Sequence, residues 1–373
     1  MCPCRTRKEI DLKDKNELTA CRRKTSIGGQ ALMEGIMMRG PKMTAMAVRN
    51  TKGEIVVEEF ETKSANRPAF CRWPIIRGIL GYVDSMVLGY KCLMRSAELS
   101  GLEDMVEDEP KKKKKKGKKA DAEVVAEETA PAEVIENTCE KKDENKDDDK
   151  ISPLIMTLVS IVSVILGFGL AIALFMILPT FLYGLVAPFI EGKNVVLNSI
   201  WKSAIEGVLK VILLVAYMAA ISLMKDIRRT YMYHGAEHKT IFCYEAGLEL
   251  TVENVRAQRR FHPRCGTSFL ILMLLVSIFI SFFIDPISVA IGGKVLPLGL
   301  RVLVKFGLLP IIVGVGYELI KFAGRHDNAL TRIISLPGVW LQHLTVFEPD
   351  DDMIECAITA VKRVIPDDGS DNW

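Results

Sequence analysis

Four long apolar segments in the second half of the sequence constrain the fold more than any other feature. They run over residues 154–178, 207–224, 268–284 and 300–322. A helix of about 17 to 25 apolar residues crosses the hydrocarbon core of a bilayer, and each segment falls within that range. The sequence therefore predicts a mainly α, polytopic membrane protein with about four spanning helices.

Basic residues predict the orientation of these helices. The stretch 225–267 carries eight lysines and arginines, and residues 321–332 add three more, whereas the loops 189–200 and 285–299 carry one lysine each. Because lysine and arginine are enriched on the cytoplasmic side, both termini and the 225–267 loop are expected inside. The N-terminus has no apolar signal-peptide region. The expected localisation is a cytoplasmic (inner) membrane, with multiple passes.

Composition divides the chain into segments of different character. Residues 25–98 are predicted to form a small α+β cytoplasmic domain, with strands at Ala45–Val48 and Glu54–Phe60 and an amphipathic helix after Pro74. The remaining parts are a disordered tail at 1–24, a charged disordered linker at 99–152, a membrane domain at 153–325 and a cytoplasmic helical segment at 326–373. The C-terminal helix, with its apolar stripe, is expected to dock on the other cytoplasmic parts.

Two histidines and a glutamate supply the sharpest chemical pattern. His234 and His238 lie four residues apart, so on a helix both imidazoles project from one face and can bind one divalent metal, with zinc the expected ion. Glu237 lies on the adjacent edge as the candidate general base. H-x-x-E-H is the inverted zincin arrangement. The alternative interpretation is a surface helix whose two histidines pair with nearby carboxylates.

A third ligand is needed, and the sequence leaves several candidates open. Glu318 is the first, because an ionisable residue in a spanning helix indicates a functional site by default. It can reach the histidines only if the 225–267 region bends back to the membrane. His262 and Cys265, three residues apart, form a second candidate pair, and His326 is another. Each candidate has a competing interpretation. Glu318 can be a paired carboxylate, His262 and Cys265 can be a loop histidine and a buried thiol, and His326 can be a surface histidine.

A glycine-rich stretch near the N-terminus adds a weaker pattern. Residues 28–35 read GGQALMEG, and no Gly-Lys-Ser/Thr follows, so the stretch is not a phosphate-binding Walker loop. Its glycines suit tight turns or close packing. Glu34 and Arg39 are expected either to form a structural salt bridge or to face one pocket.

Several long motifs together resemble a known family. They are GGQALMEGIMMRGP, YHGAEHKTIFCYE, RFHPRCGTSF, GYELIKFAGR and PGVWLQHLTVFEPDDDMIECAI. The chain resembles the YqhQ-like bacterial membrane proteins, a domain of unknown function that is sometimes labelled a predicted metal-dependent enzyme. The resemblance covers nearly all of the chain except the tail and the linker. It implies a metal site but no substrate.

These patterns support three hypotheses of function. The first is a metal-dependent hydrolase at the cytoplasmic membrane face, with a metal shell drawn from His234, His238, Glu318, His262 and Cys265. The second is a non-enzymatic scaffold or assembly factor that binds a protein partner through the N-terminal domain and the C-terminal helix, with structural histidines. A transporter is third, since only Glu206 and Glu318 stand out within the spans. A net charge of +3 gives no indication of nucleic-acid binding.

Overall fold

The structure, a computed structural model, describes residues 24–62, 68–101, 153–292, 296–326 and 328–371. Nearly all of the predicted tail and linker therefore lies outside the described residues. The helices are α1 (Ile76–Leu99), α2 (Pro153–Ile172), α3 (Leu178–Ile190), α4 (Val195–Ser222), α5 (Lys225–Glu245), α6 (Val252–Arg256), α7 (Gly266–Gly292), α8 (Leu298–Arg325), α9 (Ala329–Thr345) and α10 (Asp351–Val364). A short 3₁₀ turn, Ala69–Arg72, precedes α1.

A four-stranded antiparallel sheet forms the N-terminal part. Its strands follow chain order: β1 (Gly28–Leu32), β2 (Gly35–Arg39), β3 (Met43–Arg49) and β4 (Ile55–Glu61). The two predicted strands correspond to β3 and β4 and are confirmed. The β1–β2 hairpin is an addition, because the apolar run at 36–38 lacks the alternation that marks a half-buried strand. Both faces of β2 are covered, which removes that alternation.

The sheet lies between two helical layers. On one face, Ile36 and Ala45 share a buried core with Ala236 of α5 and Ile354 of α10. On the other face, Met46 packs with Cys92 of α1. The predicted docking of the C-terminal helix is thus confirmed, and α5, the helix that carries the histidine pair, is fixed against the sheet.

Within the described residues, four stretches are long and apolar enough to cross a membrane, as predicted. They are Val162–Ile190, Val195–Ser222, Gly266–Gly292 and Gly299–Ala323. The first continues past residue 178 through a π-helical turn, Ala173–Ile177, into α3. Pro179 has no backbone N–H to donate to the preceding turn, so one helical hydrogen bond is missing there. The wider π turn lies directly before this proline. Many large apolar side chains on these helices remain exposed, which is compatible with contact to lipid.

Helix α9 packs along the start of α7 instead of standing apart. A Cβ at Gly338 would lie 2.4 Å from the Cβ of Ser268, so the backbone of α9 contacts a side chain of α7 directly. The opposite side of α9 leaves a row of large apolar side chains exposed, namely Leu330, Ile333, Leu336 and Trp340. That row is typical of a helix lying at a lipid interface.

Candidate metal centre

Helix α5 presents His234, Glu237 and His238 toward the interior of the protein. All three are buried, with His238 only 1% exposed. The glycine between them allows close packing: a Cβ at Gly235 would lie 2.0 Å from the carbonyl oxygen of Phe347. Glycine in this helix, unfavourable by propensity, is therefore required because a backbone segment crosses directly over it.

Backbone carbonyls orient both imidazole rings. Nδ1 of His234 donates to the carbonyl oxygen of Thr345 at 3.0 Å, and Nδ1 of His238 donates to that of Arg260 at 2.6 Å. A carbonyl oxygen can only accept, so each Nδ1 carries a hydrogen and each Nε2 is left for another partner. Metal-binding histidines are held in the same way by a hydrogen bond from the second ring nitrogen.

Cys265 completes the cluster from the residue before α7. Its Sγ lies 3.0 Å from Nε2 of His234, and one ligand atom from each of His234, His238 and Cys265 lies within 4.8 Å of the other two. The backbone N–H of Thr267, in the first turn of α7, points at the same sulfur at 3.4 Å. A helix N-terminus and adjacent imidazoles both favour the thiolate.

The ionisation of these groups follows from their contacts. Burial would raise the pKa of the Cys265 thiol, but His234 and His238 hold it well below its usual range. Burial would lower the pKa of His234, but the Cys265 thiolate, with Glu237, raises it to about 9. The protein therefore holds a thiolate next to an imidazolium, and a metal ion would take the place of the proton between them.

An unpartnered nitrogen indicates that these residues fit a metal ion. Nε2 of His238 is buried and has no hydrogen-bond partner among the described residues. Leaving such a group unsatisfied costs about 1–3 kcal/mol. An ion bound between the three ligands would satisfy this nitrogen, and one thiolate with two imidazoles is a ligand set that zinc accepts.

Glu237 lies beside the triad and is held by the glycine-rich stretch. Its Oε1 accepts a hydrogen bond of 3.0 Å from the backbone N–H of Gly29 in β1. Burial raises the pKa of this carboxyl, and the charges of His234 and His238 lower it in part. A Cβ at Gly29 would lie 3.0 Å from Cδ of Glu237 and still closer to β2, so only glycine permits this approach. The glycine motif thus belongs to the same site.

Glu318, the first candidate for the third ligand, does not join this cluster. Its carboxylate forms an ion pair with Arg77 of α1, with Nε of the arginine 2.7 Å from Oε1. Gly314 packs against Ile75, and Gly78 packs against Tyr317, so α1 and α8 are closely apposed there. The sequence interpretation of Glu318 as a ligand is corrected because Arg77, 241 residues away, takes its carboxylate.

His262, the partner of Cys265 in the second candidate pair, lies near the triad but outside it. Its ring centroid is 5.6 Å from that of His238, and its Nε2 lies 3.7 Å from Oε2 of Glu245. Burial lowers the pKa of His262 to about 4. Gln342 clamps the backbone of His262 by donating to its carbonyl oxygen at 2.7 Å and accepting from its N–H at 2.8 Å. No local pattern in the sequence indicates this clamp.

The remaining sequence candidates lie at the surface. His326 and His343 are exposed, and Nδ1 of each bonds a carbonyl oxygen of its own helical turn. Glu34 and Arg39 do not pair with each other: Glu34 binds Arg229 of α5, and Arg39 donates to Ser85 of α1. Their expected contact is therefore wrong, because the β1–β2 turn points Glu34 toward α5.

Comparison with known proteins identifies the family. Residues 73–367 match the family described as "Protein of unknown function (DUF1385)". This chain belongs to that family. The matched region contains all three residues of the triad as well as Glu237.

A curated relative agrees with this assignment. The "Uncharacterized protein YqhQ" of Bacillus subtilis (strain 168) is 32% identical over 342 residues, covering 91% of this chain and 92% of the relative. The resemblance seen in the sequence motifs is confirmed. No solved structure matches the chain significantly. Neither description names an activity.

Proposed function

We propose that this DUF1385 protein is a metal-dependent hydrolase that works at the membrane surface. The observation that carries the proposal is the convergence of His234, His238 and Cys265 within 4.8 Å, next to the buried carboxylate of Glu237. Catalytic zinc sites use three protein ligands and keep a fourth position open, whereas structural sites use four. The proposed cofactor is therefore zinc in a catalytic setting.

Glu237 is the proposed general base. A bound zinc ion would supply Lewis acidity to the site. Glu237 would accept the proton of the attacking water at its free carboxylate oxygen and pass it to the leaving group. The N–H of Gly29 holds the other oxygen, which fixes the direction of the carboxylate. The pKa raised by burial favours both steps near neutral pH.

A cavity borders the same strand, β1, on the face of the sheet turned away from Glu237. It has a volume of about 320 Å³, and Gly29, Gln30, Ser85 and Leu88 are among its lining residues. It opens between β1 and α1, and α1 also packs on the apolar helix α8. Because α1 joins the sheet to an apolar helix long enough to cross a membrane, we propose a peptide or ester bond of a membrane-associated molecule as the target.

The test is to compare metal content and turnover in two variants of the full chain in detergent. Glu237→Gln is expected to keep its zinc and to lose about 10²–10⁴-fold in the hydrolysis of a panel of fluorogenic peptides and esters. His238→Ala is expected to lose both zinc and turnover. The exposed His343→Ala serves as the control and is expected to lose neither. Unchanged turnover in Glu237→Gln would contradict the hydrolase.

One observation favours a second candidate, a scaffold with a structural metal. The ring nitrogens of His234 and His238 and the sulfur of Cys265 connect α5, the segment before α7 and the end of α9. An ion there would join α5 to the segment before α7, with α9 held through His234, and would present the sheet and α10 to a protein partner. Zinc in the wild type, no turnover on the panel, and a lower unfolding temperature after zinc removal would support this candidate over the hydrolase.

We also propose that the histidine end faces the cytoplasm. The support is the excess of lysine and arginine in the 225–267 stretch over the loops at the opposite end. Single cysteines placed at Ser370 and at Asn194 in a cysteine-free background would test it with a membrane-impermeant thiol reagent. In right-side-out vesicles only the residue-194 site should react. Reaction at position 370 would reverse the orientation.

A further inference from the structure

The first turns of α1 run beside the candidate span α8, whereas the later turns lie on the sheet. A Cβ at Gly314 of α8 would lie 2.3 Å from Cγ2 of Ile75, the residue before α1. A Cβ at Gly78 of α1 would lie 2.8 Å from Cβ of Tyr317. The contact advances from 75 to 78 on one helix and from 314 to 317 on the other, so the two helices run in the same direction there. Glycines allow such close approach between helices in membranes.

This contact lies well within the candidate spans. Gly314 precedes Ala323, the end of its span, by nine residues (314 to 323), or about 13 Å along the helix. The ring of Tyr82 lies 5.7 Å from that of Phe269, in the first turn of the candidate span α7. Half of a hydrocarbon core is about 15 Å thick. If α8 crosses a bilayer, Ile75 therefore lies at the depth of the acyl chains.

The charges of this segment suit the boundary between acyl chains and head groups. Arg72 and Arg77 are the only charged residues between 70 and 83. Arg77 pairs with Glu318, with Nε 2.7 Å from Oε1, and charged residues in spanning regions are paired in this way. Glu318 lies only five residues (318 to 323) from the end of its span, or about 7 Å. Arg72 is exposed, and a long arginine side chain extends to the head groups.

The segment leaves large apolar side chains uncovered. Phe70, Trp73 and Val83 are each at least half exposed, and Trp73 is 62% exposed. A group of exposed apolar side chains of this size marks a surface that binds a partner or a membrane. Because this group adjoins α7 and α8, whose own apolar side chains are exposed to lipid, the same acyl chains can cover it.

The backbone at Ile75 has a conformation that isoleucine rarely adopts. Its φ is 69° and its ψ is −55°, and the N–H of Ile76 donates to the carbonyl oxygen of Pro74 at 2.8 Å. This is the γ-turn with positive φ, which is rare and strained. Such strain persists where the surroundings impose it, and the contact with Gly314 does so here. The turn thus fixes the start of α1 against α8.

We propose that residues 70–83 form a re-entrant segment that inserts into one leaflet of the bilayer, with Phe70 and Trp73 in contact with lipid acyl chains. Strand β4 precedes the segment and the sheet-bound part of α1 follows it, so the chain enters and leaves on the same side. On the sheet, the hydroxyl of Ser96 accepts a hydrogen bond of 3.3 Å from the N–H of Met33. The insertion thus holds the sheet at a set height above the membrane. It does not depend on the proposed hydrolase.

The experiment follows the fluorescence of Trp73 in the full chain, reconstituted in vesicles of phosphatidylcholine and phosphatidylglycerol. Trp201→Phe, Trp340→Phe and Trp373→Phe leave Trp73 as the only tryptophan. The vesicles carry a nitroxide quencher either near the glycerol end of an acyl chain or on the head group. The acyl-chain nitroxide is expected to remove about half of the emission or more, and the head-group nitroxide less, because side chains inserted about 5–10 Å lie beside the acyl label.

Two further probes make the result specific, each in a background that lacks all four native tryptophans. Lys52→Trp is the control, because the adjacent Thr51 contacts Gly101 at the other end of α1, and neither label is expected to quench it. Phe70→Trp is expected to be quenched as Trp73 is, and it replaces the first probe if that variant does not fold. Acyl-chain quenching at positions 70 and 73 no stronger than at position 52 would overturn the proposal, whether these side chains then face water or a second copy of the chain.

Discussion

At the histidine end of the bundle, backbone groups hold the polar side chains, whereas at the opposite end charged side chains hold one another. His234, His238 and Glu237 each bond a backbone carbonyl or N–H. Arg301 instead binds two carboxylates inside the span. The first arrangement leaves Nε2 of His238 without a partner and beside a thiolate, and the second binds two buried carboxylates to one guanidinium. The two ends should therefore respond differently to substitution.

The largest effect is expected at the charged end. Arg301→Met leaves Glu206 and Asp285 buried without their shared partner, and breaking a buried ion pair costs about 3–5 kcal/mol. The matched control is Arg77→Met, which breaks a pair whose side chains are 32% and 26% exposed, so a loss of at most about 1 kcal/mol is expected. Unfolding in detergent measures both, and equal losses would show that the buried cluster contributes no more than a surface pair.

The next effect is expected at the histidine end and comes from the backbone. Gly235→Ala places a Cβ 2.0 Å from the carbonyl oxygen of Phe347, so α5 must move away from that segment. Overpacking of this kind costs about 3 kcal/mol. Gly307→Ala in α8, where a Cβ meets no heavy atom within 4 Å, should be neutral or stabilising in the same unfolding measurement. A neutral Gly235→Ala would contradict the close approach on which the site geometry depends.

A smaller effect is expected from the clamp beside the triad. Gln342→Leu leaves the N–H and carbonyl oxygen of His262 buried without their partner, which should cost about 2 kcal/mol. Gln258→Leu removes one hydrogen bond to Asn254 in a partly buried position and should cost less than about 1 kcal/mol. If the two variants unfold at the same temperature, the clamp does not hold the His262 segment.

The smallest effect is expected where an ion pair lies at the surface. Arg229→Met breaks the contact with Glu34, in which the arginine side chain is 50% exposed, so the loss should not exceed about 1 kcal/mol. The loss should shrink further in high salt, because salt screens exposed charges. A larger loss that is insensitive to salt would show that Glu34 acts through Tyr233, which also donates to it.

Local patterns in the sequence predict part of this molecule well. The four spans follow from runs of apolar residues, and the pairing of His234 with His238 follows from helical spacing. Contacts between distant segments cannot be predicted from local patterns in this way, because residue type alone does not show which of several candidates will lie beside the histidine pair. Cys265, from the second candidate pair, lies in the triad, whereas the first candidate, Glu318, pairs with Arg77.

The charged cluster of Glu206, Asp285 and Arg301 shows the same limit more clearly. Long apolar runs hide single charges, so the sequence alone does not single out Asp285 and Arg301 as partners of Glu206. Only the packing of α4, α7 and α8 brings these side chains together. A transporter hypothesis that considers Glu206 and Glu318 alone therefore omits two charged side chains inside the candidate spans.

The metal ligands can be tested directly by zinc X-ray absorption spectroscopy of the purified chain. The wild type is expected to bind about one zinc with one sulfur at about 2.3 Å and nitrogens at about 2.0 Å. Cys265→Ser should lose the sulfur contribution, while Cys92→Ser, a buried thiol of the α1 core, should retain it. Zinc bound without a sulfur ligand in the wild type, or no stoichiometric zinc, would contradict the His234–His238–Cys265 centre.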